Sequence, residues 1–123
     1  MTPVAIRAAR ILLVAAIVFA LAMALNPRPP HLPIAVGDKW QHMAAFGTLT
    51  ILSVAAFPQA PLHRIGERLS FLGALIEVFQ SIPAIGRDCD VMDWLADTYV
   101  IVGVLIVVRI VRRPARGRDA STP

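Results

Sequence analysis

Proline placement limits what this chain can become. Its ten prolines stand at positions 3, 27, 29, 30, 33, 58, 61, 83, 114 and 123, and none interrupts an apolar run. Proline lacks an amide donor and clashes with the preceding helical turn, so it ends helices more readily than it lies inside them. The runs between the prolines therefore separate into four helices, expected at about residues 5–25, 39–57, 64–82 and 91–111.

These runs are apolar on most sides instead of carrying a stripe at 3.6-residue spacing, and helices of that kind suit a bilayer. Composition agrees, since 57% of the 123 residues are apolar and the mean hydropathy is +0.67, too high for an ordinary soluble domain of this length. The expected fold class is all-α, an integral membrane four-helix bundle over residues 1–113, with a disordered cytoplasmic tail over 114–123. Ile11 to Leu25 alone covers only about 22 Å of a hydrocarbon core of about 30 Å. Val4 to Ala9 must therefore extend the first helix, with Arg7 and Arg10 reaching back to the headgroups. Ala22-Met23-Ala24 has the small-residue pattern of a signal-peptide cleavage site, but three further hydrophobic segments favour a retained helix.

A net charge of +4 and a pI near 10.6 would also suit a nucleic-acid partner. However, five of the twelve basic residues (Arg109, Arg112, Arg113, Arg116, Arg118) directly follow an apolar run, which marks a juxtamembrane cluster and argues for a lipid bilayer partner instead. A lone cysteine, Cys89, excludes an intrachain disulfide. With both termini cytoplasmic, nine basic residues lie inside and three (Arg28, Lys39, Arg87) outside, a positive-inside bias that predicts a multi-pass membrane protein.

That orientation brings six of the eight acids (Asp38, Glu77, Asp88, Asp90, Asp93, Asp97) to the outer half of the membrane, although sixty residues of sequence separate the first from the last. Ionisable groups at such depth are costly and mark candidate sites. Asp38 is placed to cap the second helix, and Lys39 and His42 follow within its first turns. Ser70, Gly73, Glu77 and Gln80 recur at steps of three and four and so share one helix face, as do Asp90, Asp93 and Asp97. Trp40 and Trp94 are expected as interfacial anchors.

The segments Asp38-Lys39-x-x-His42 with Phe46, Ile76-Glu77-x-x-Gln80, and Gly86-Arg87-x-x-Asp90-x-x-Asp93-x-x-x-Asp97-Thr98 resemble those of the VanZ-like family, small bacterial membrane proteins named after an accessory teicoplanin-resistance protein. Together they cover about residues 38–103. Asp97 stands where that family usually has asparagine. Val100 stands where it commonly has glycine, which predicts looser packing near the start of the fourth helix. The resemblance implies a place in the bacterial cytoplasmic (inner) membrane and a role at the cell envelope, bearing on susceptibility to glycopeptide or lipopeptide antibiotics, with no settled reaction.

The residues leave several chemistries open. His42, Glu77 and Asp93 are the candidates for acid–base catalysis, because a carboxyl beside a histidine can exchange protons with a bound molecule. Lys39, Gln80, Arg87, Asp90 and Asp97 are the candidates for binding a lipid-linked cell-wall precursor or envelope lipid, with Arg87 able to hold a phosphate bidentately or to pair with Asp90 or Asp93. His and carboxylates drawn from several helices resemble bundle-core metal sites in kind, but no local ligand motif accompanies them, so no metal or other cofactor is assigned. The alternative is a structural network in which Lys39 and Arg87 neutralise the carboxylates and the chain is a non-catalytic membrane partner or assembly protein. Transport is disfavoured, since four short helices without an internal repeat offer little pathway.

The charge count yields a topology prediction. An impermeant thiol reagent should label Cys89 in intact cells, and labelling only after permeabilisation would invert the orientation.

Overall fold

The computed structural model describes residues 1–26, 38–86 and 89–114, and among them the chain is all-helical with no strand. Helix α1 covers Pro3–Ala24, α2 Asp38–Ala56, α3 Leu62–Gln80 and α4 Val91–Arg112, with a short 3-10 turn at Pro83–Ile85. Each lies within two residues of its expected bounds. The structure of the expected tail from residue 115 onward lies outside the described residues, as does that of the proline-rich segment 27–37.

Proline acts at starts as well as stops. Pro3 occupies the first turn of α1, where its missing N–H costs nothing, and the Thr2 hydroxyl oxygen accepts from the Ala5 N–H at 3.2 Å. The 3-10 turn opens on Pro83 and closes on Gly86, whose φ of 65° lies in the left-handed region that glycine enters without strain. Asp90 then caps α4, its carboxylate accepting from the Met92 N–H at 2.9 Å, while Arg109 and Arg112 sit in the last turn where the helix dipole favours cations.

Side chains show that the helices run up and down in turn. Arg10 of α1 donates through Nε to the Ala56 carbonyl at the end of α2 and lies over the Phe57 ring at 5.2 Å. Arg10 is thus turned onto the end of α2, satisfying a terminal carbonyl, instead of reaching toward headgroups as the sequence suggested. At the other end of the bundle, Gln80 Nε2 donates to the Ala24 carbonyl at 2.9 Å, joining the ends of α1 and α3. Helix α2 packs against both α1 and α4, α4 packs against α3, and α1 meets α3 only lightly. Leu49 and Ile101 are almost fully buried in one core that also holds Phe46, Leu69, Ile76 and Leu105.

The two 22-residue helices, α1 and α4, are long and apolar enough to cross a membrane; each rises about 33 Å. Only a small share of either is buried, and Ile11, Val14, Val18 and Phe19 of α1 and Val102, Ile106, Val107 and Val111 of α4 all stand exposed. The 19-residue α2 and α3 are less apolar, α3 carrying Arg64, Glu67 and Arg68 in its first half and Glu77 near its end.

Glycines allow the close approaches. A Cβ on Gly66 would lie 2.9 Å from the Leu105 Cδ1, the free end of a flexible side chain. One on Gly73 would touch Phe46 and Trp94 at 3.4 Å and the Asp97 carboxylate at 3.6 Å. Val100, expected to loosen the packing of α4, instead lies against Gly47 of α2, whose Cβ would come within 3.3 Å of the Val100 Cγ1. The glycine that lets these helices meet therefore stands on α2.

Gly66→Ala should be nearly neutral in a thermal-unfolding assay, because Leu105 can shift and alanine has the better helix propensity. Gly73→Leu should cost about 1–3 kcal/mol, because it drives a branched side chain into two aromatic rings and a carboxylate.

Candidate functional site

Three helices bring their polar residues to one end of the bundle, formed by the end of α1, the start of α2, the end of α3 and the start of α4. The shared face expected on α3 is the one turned inward. Gly73, Glu77 and Gln80 are buried and Ser70 is half-buried. Each polar member holds another helix. The Ser70 hydroxyl shares a 2.9 Å hydrogen bond with the Thr98 hydroxyl. The Ser70 carbonyl accepts from the Trp94 indole N–H at 3.0 Å. Glu77 Oε2 accepts from the Asp90 backbone N–H at 3.0 Å, and Gln80 reaches α1.

Trp94 is therefore corrected from an interfacial anchor to an interhelical contact, half-buried and with its one polar hydrogen spent on α3. Trp40 is 64% exposed, as an anchor would be. Asp90 is exposed and works locally, capping α4 with its side chain and meeting Glu77 with its backbone. Asp93 is half-buried in the first turn of α4, where a carboxylate complements the helix dipole.

His42 and Asp97 form the one ion pair among the described residues. His42 Nδ1 lies 3.6 Å from Asp97 Oδ2, joining α2 to α4, and Asp97 is 1% exposed. Among the described residues the ion-pair partner of Asp97 is thus a histidine. Lys39 is exposed and forms no ion pair among the described residues, and Arg87 lies outside those residues.

Two oxygens in this cluster stand out, Glu77 Oε1 and Asp97 Oδ1. Both are buried and neither has a hydrogen-bond partner among the described residues. Buried polar atoms are paired in the great majority of cases, and burying an unpaired carboxylate oxygen is costly. Those two residues supply buried carboxylates from two helices, and that of Asp97 faces the His42 imidazole. Among the described residues no group of three or more His, Cys, Asp or Glu side chains is placed to hold a metal ion.

Beside the cluster runs an apolar groove of about 430 Å³ between α1 and α2. Ala16, Phe19, Ala20 and Met23 form one wall, Ala44, Ala45, Phe46 and Leu49 the other, with Gln41 and His42 at one end. His42 therefore faces two ways, lining the groove while its Nδ1 looks toward Asp97. An imidazole oriented by a carboxylate and open to a cavity has the layout of a general acid or base. The sequence reading missed the groove, although Ala16, Ala20 and Ala24 stand four residues apart and mark one small-residue face of α1.

The chain matches no family model, no curated protein and no solved structure.

Cys89 offers a probe of Glu77. Its exposed thiol is raised above the ordinary range by desolvation first, then by the neighbouring Glu77 carboxylate. Glu77→Gln should therefore lower that pKa and speed reaction with a maleimide near neutral pH by roughly two- to tenfold, since each unit of pKa is worth up to tenfold in thiolate. An unchanged rate would mean that position 77 carries no charge felt at the thiol.

Proposed function

We propose that this chain is a four-span protein of the bacterial cytoplasmic membrane, VanZ-like, with both termini cytoplasmic and the polar end of its bundle facing outward. That end binds or modifies a cell-surface lipid or a lipid-linked cell-wall component, and through it affects susceptibility to glycopeptide or lipopeptide antibiotics. The observation that carries the reading is the His42–Asp97 pair drawn from two helices, together with one buried oxygen of Asp97 and one of Glu77 on a third helix that have no hydrogen-bond partner among the described residues. A purely structural network tends to satisfy its members, because a half-satisfied one is less stable than an apolar core.

In this reading His42 is the proton-transferring group, Asp97 orients its ring, and Glu77 offers an acceptor to a donor on the bound molecule. The 3.6 Å separation of His42 and Asp97 is longer than a hydrogen bond, and catalytic contacts commonly tighten only in the complex. The exposed apolar faces of α1 and α4 support the placement in a bilayer, where lipid tails solvate them at no cost.

The second reading is a non-catalytic assembly partner. It is favoured by the contacts that Ser70, Trp94, Glu77 and Gln80 make between helices. The two readings part in cells expressing Glu77→Gln, Asp93→Asn or His42→Gln, with antibiotic susceptibility and membrane abundance measured together. The site reading expects the susceptibility phenotype to disappear while abundance stays near wild type. Loss of abundance in step with phenotype would support the structural reading, and an untouched phenotype in all three would sink the proposal.

A further inference from the structure

The groove between α1 and α2 has two features that together define an occupant. Its walls are apolar along their length, and alanine occupies five of the lining positions (Ala16, Ala20, Ala24, Ala44, Ala45), where larger side chains would close it. Its polar lining is confined to one end, at the adjacent residues Gln41 and His42. The third polar lining residue, Thr48, already spends its hydroxyl on the Ala44 carbonyl at 2.8 Å. A space of about 430 Å³ falls within the range of roughly 300–1,000 Å³ typical of small-molecule sites. From His42 to Leu49 the α2 wall rises about 10 Å, enough for a stretch of hydrocarbon chain lying along the helix.

An apolar channel polar at only one end matches an amphiphile lying with its tail between the helices and its head at the imidazole. We infer that the groove binds one acyl chain of a bilayer lipid and presents the lipid's headgroup linkage to His42. This rests on the lipid-site reading above and specifies it, since the substrate class becomes an acyl-chain lipid taken from the bilayer sideways. The entry route agrees with the exposure of Phe19 on α1, which lines the groove with apolar surface. It also gives a use to the orientation of His42, because the ring that meets Asp97 through Nδ1 is the same ring that lines the groove.

The test uses the full chain in phosphatidylcholine–phosphatidylglycerol vesicles containing phosphatidylglycerol with a diazirine in its acyl chain. After irradiation, adducts are mapped by mass spectrometry. Groove residues Phe19, Met23 and Leu49 should be labelled above the exposed α4 residues Val107 and Val111, which report ordinary contact with the bilayer. Ala45→Phe, and separately Ala20→Leu from the opposite wall, should lower groove adducts about tenfold, the factor produced by about 1.4 kcal/mol of steric exclusion, while adducts on α4 stay unchanged. Equal labelling of groove and α4, or groove adducts unchanged in both variants, would overturn the inference while leaving the polar-site phenotype to stand or fall on its own experiment. Failure of the wild-type chain to enter the vesicles at all would overturn both.

Discussion

One face of α3 holds this bundle together. Ser70 and Glu77 fix the start of α4 from two points a little under two turns apart, and Gln80 fixes the end of α1. Gly73, between them, has no side chain, so that Phe46, Trp94 and Asp97 can close over the same face. Where the surround is itself apolar, burying apolar surface gives helices little reason to associate, and such polar and small-residue contacts must set the register. The position of the His42–Asp97 pair is a consequence of them. Asp97 meets the imidazole because α4 is held by α3 at Glu77 and Ser70, twenty and twenty-seven residues away in sequence.

The same arrangement has an energetic cost. Two buried carboxylates, each with one oxygen unpaired among the described residues, are a liability that an apolar core of similar shape would avoid. The satisfied hydrogen bonds around them are what the fold sets against that cost. The Glu77 carboxylate illustrates the division, with Oε2 engaged by the Asp90 backbone and Oε1 free of partners among the described residues.

Much of this was legible in the sequence, for physical reasons. Proline cannot continue a helix, so the four segments and their bounds followed from ten positions. The 70, 73, 77, 80 spacing identified the inward face of α3 because a helix returns to the same side every three to four residues. Partner choice was not legible. Arg10 against Ala56, Trp94 against Ser70 and His42 against Asp97 join residues 24 to 55 positions apart, and only the relative depth of the helices selects them. Val100 shows the same limit, since its packing depends on a glycine of α2, 53 positions earlier. The groove escaped notice because alanine signals nothing by itself; a cavity is a property of two facing walls.

The bond from Gln80 to the Ala24 carbonyl has a bearing on how the chain matures. Ala22-Met23-Ala24 has the small-residue spacing that a processing peptidase reads, and such enzymes act on extended backbone. In the folded chain those three residues form the last turn of α1, with the final carbonyl held by a side chain fifty-six positions downstream. Cutting there would require that turn to unwind and Gln80 to let go. The fate of the first helix is therefore a contest of rates, between arrival of α3 beside α1 and access of the enzyme to an unwound Ala24, and every contact that speeds the seating of α3 favours an intact chain.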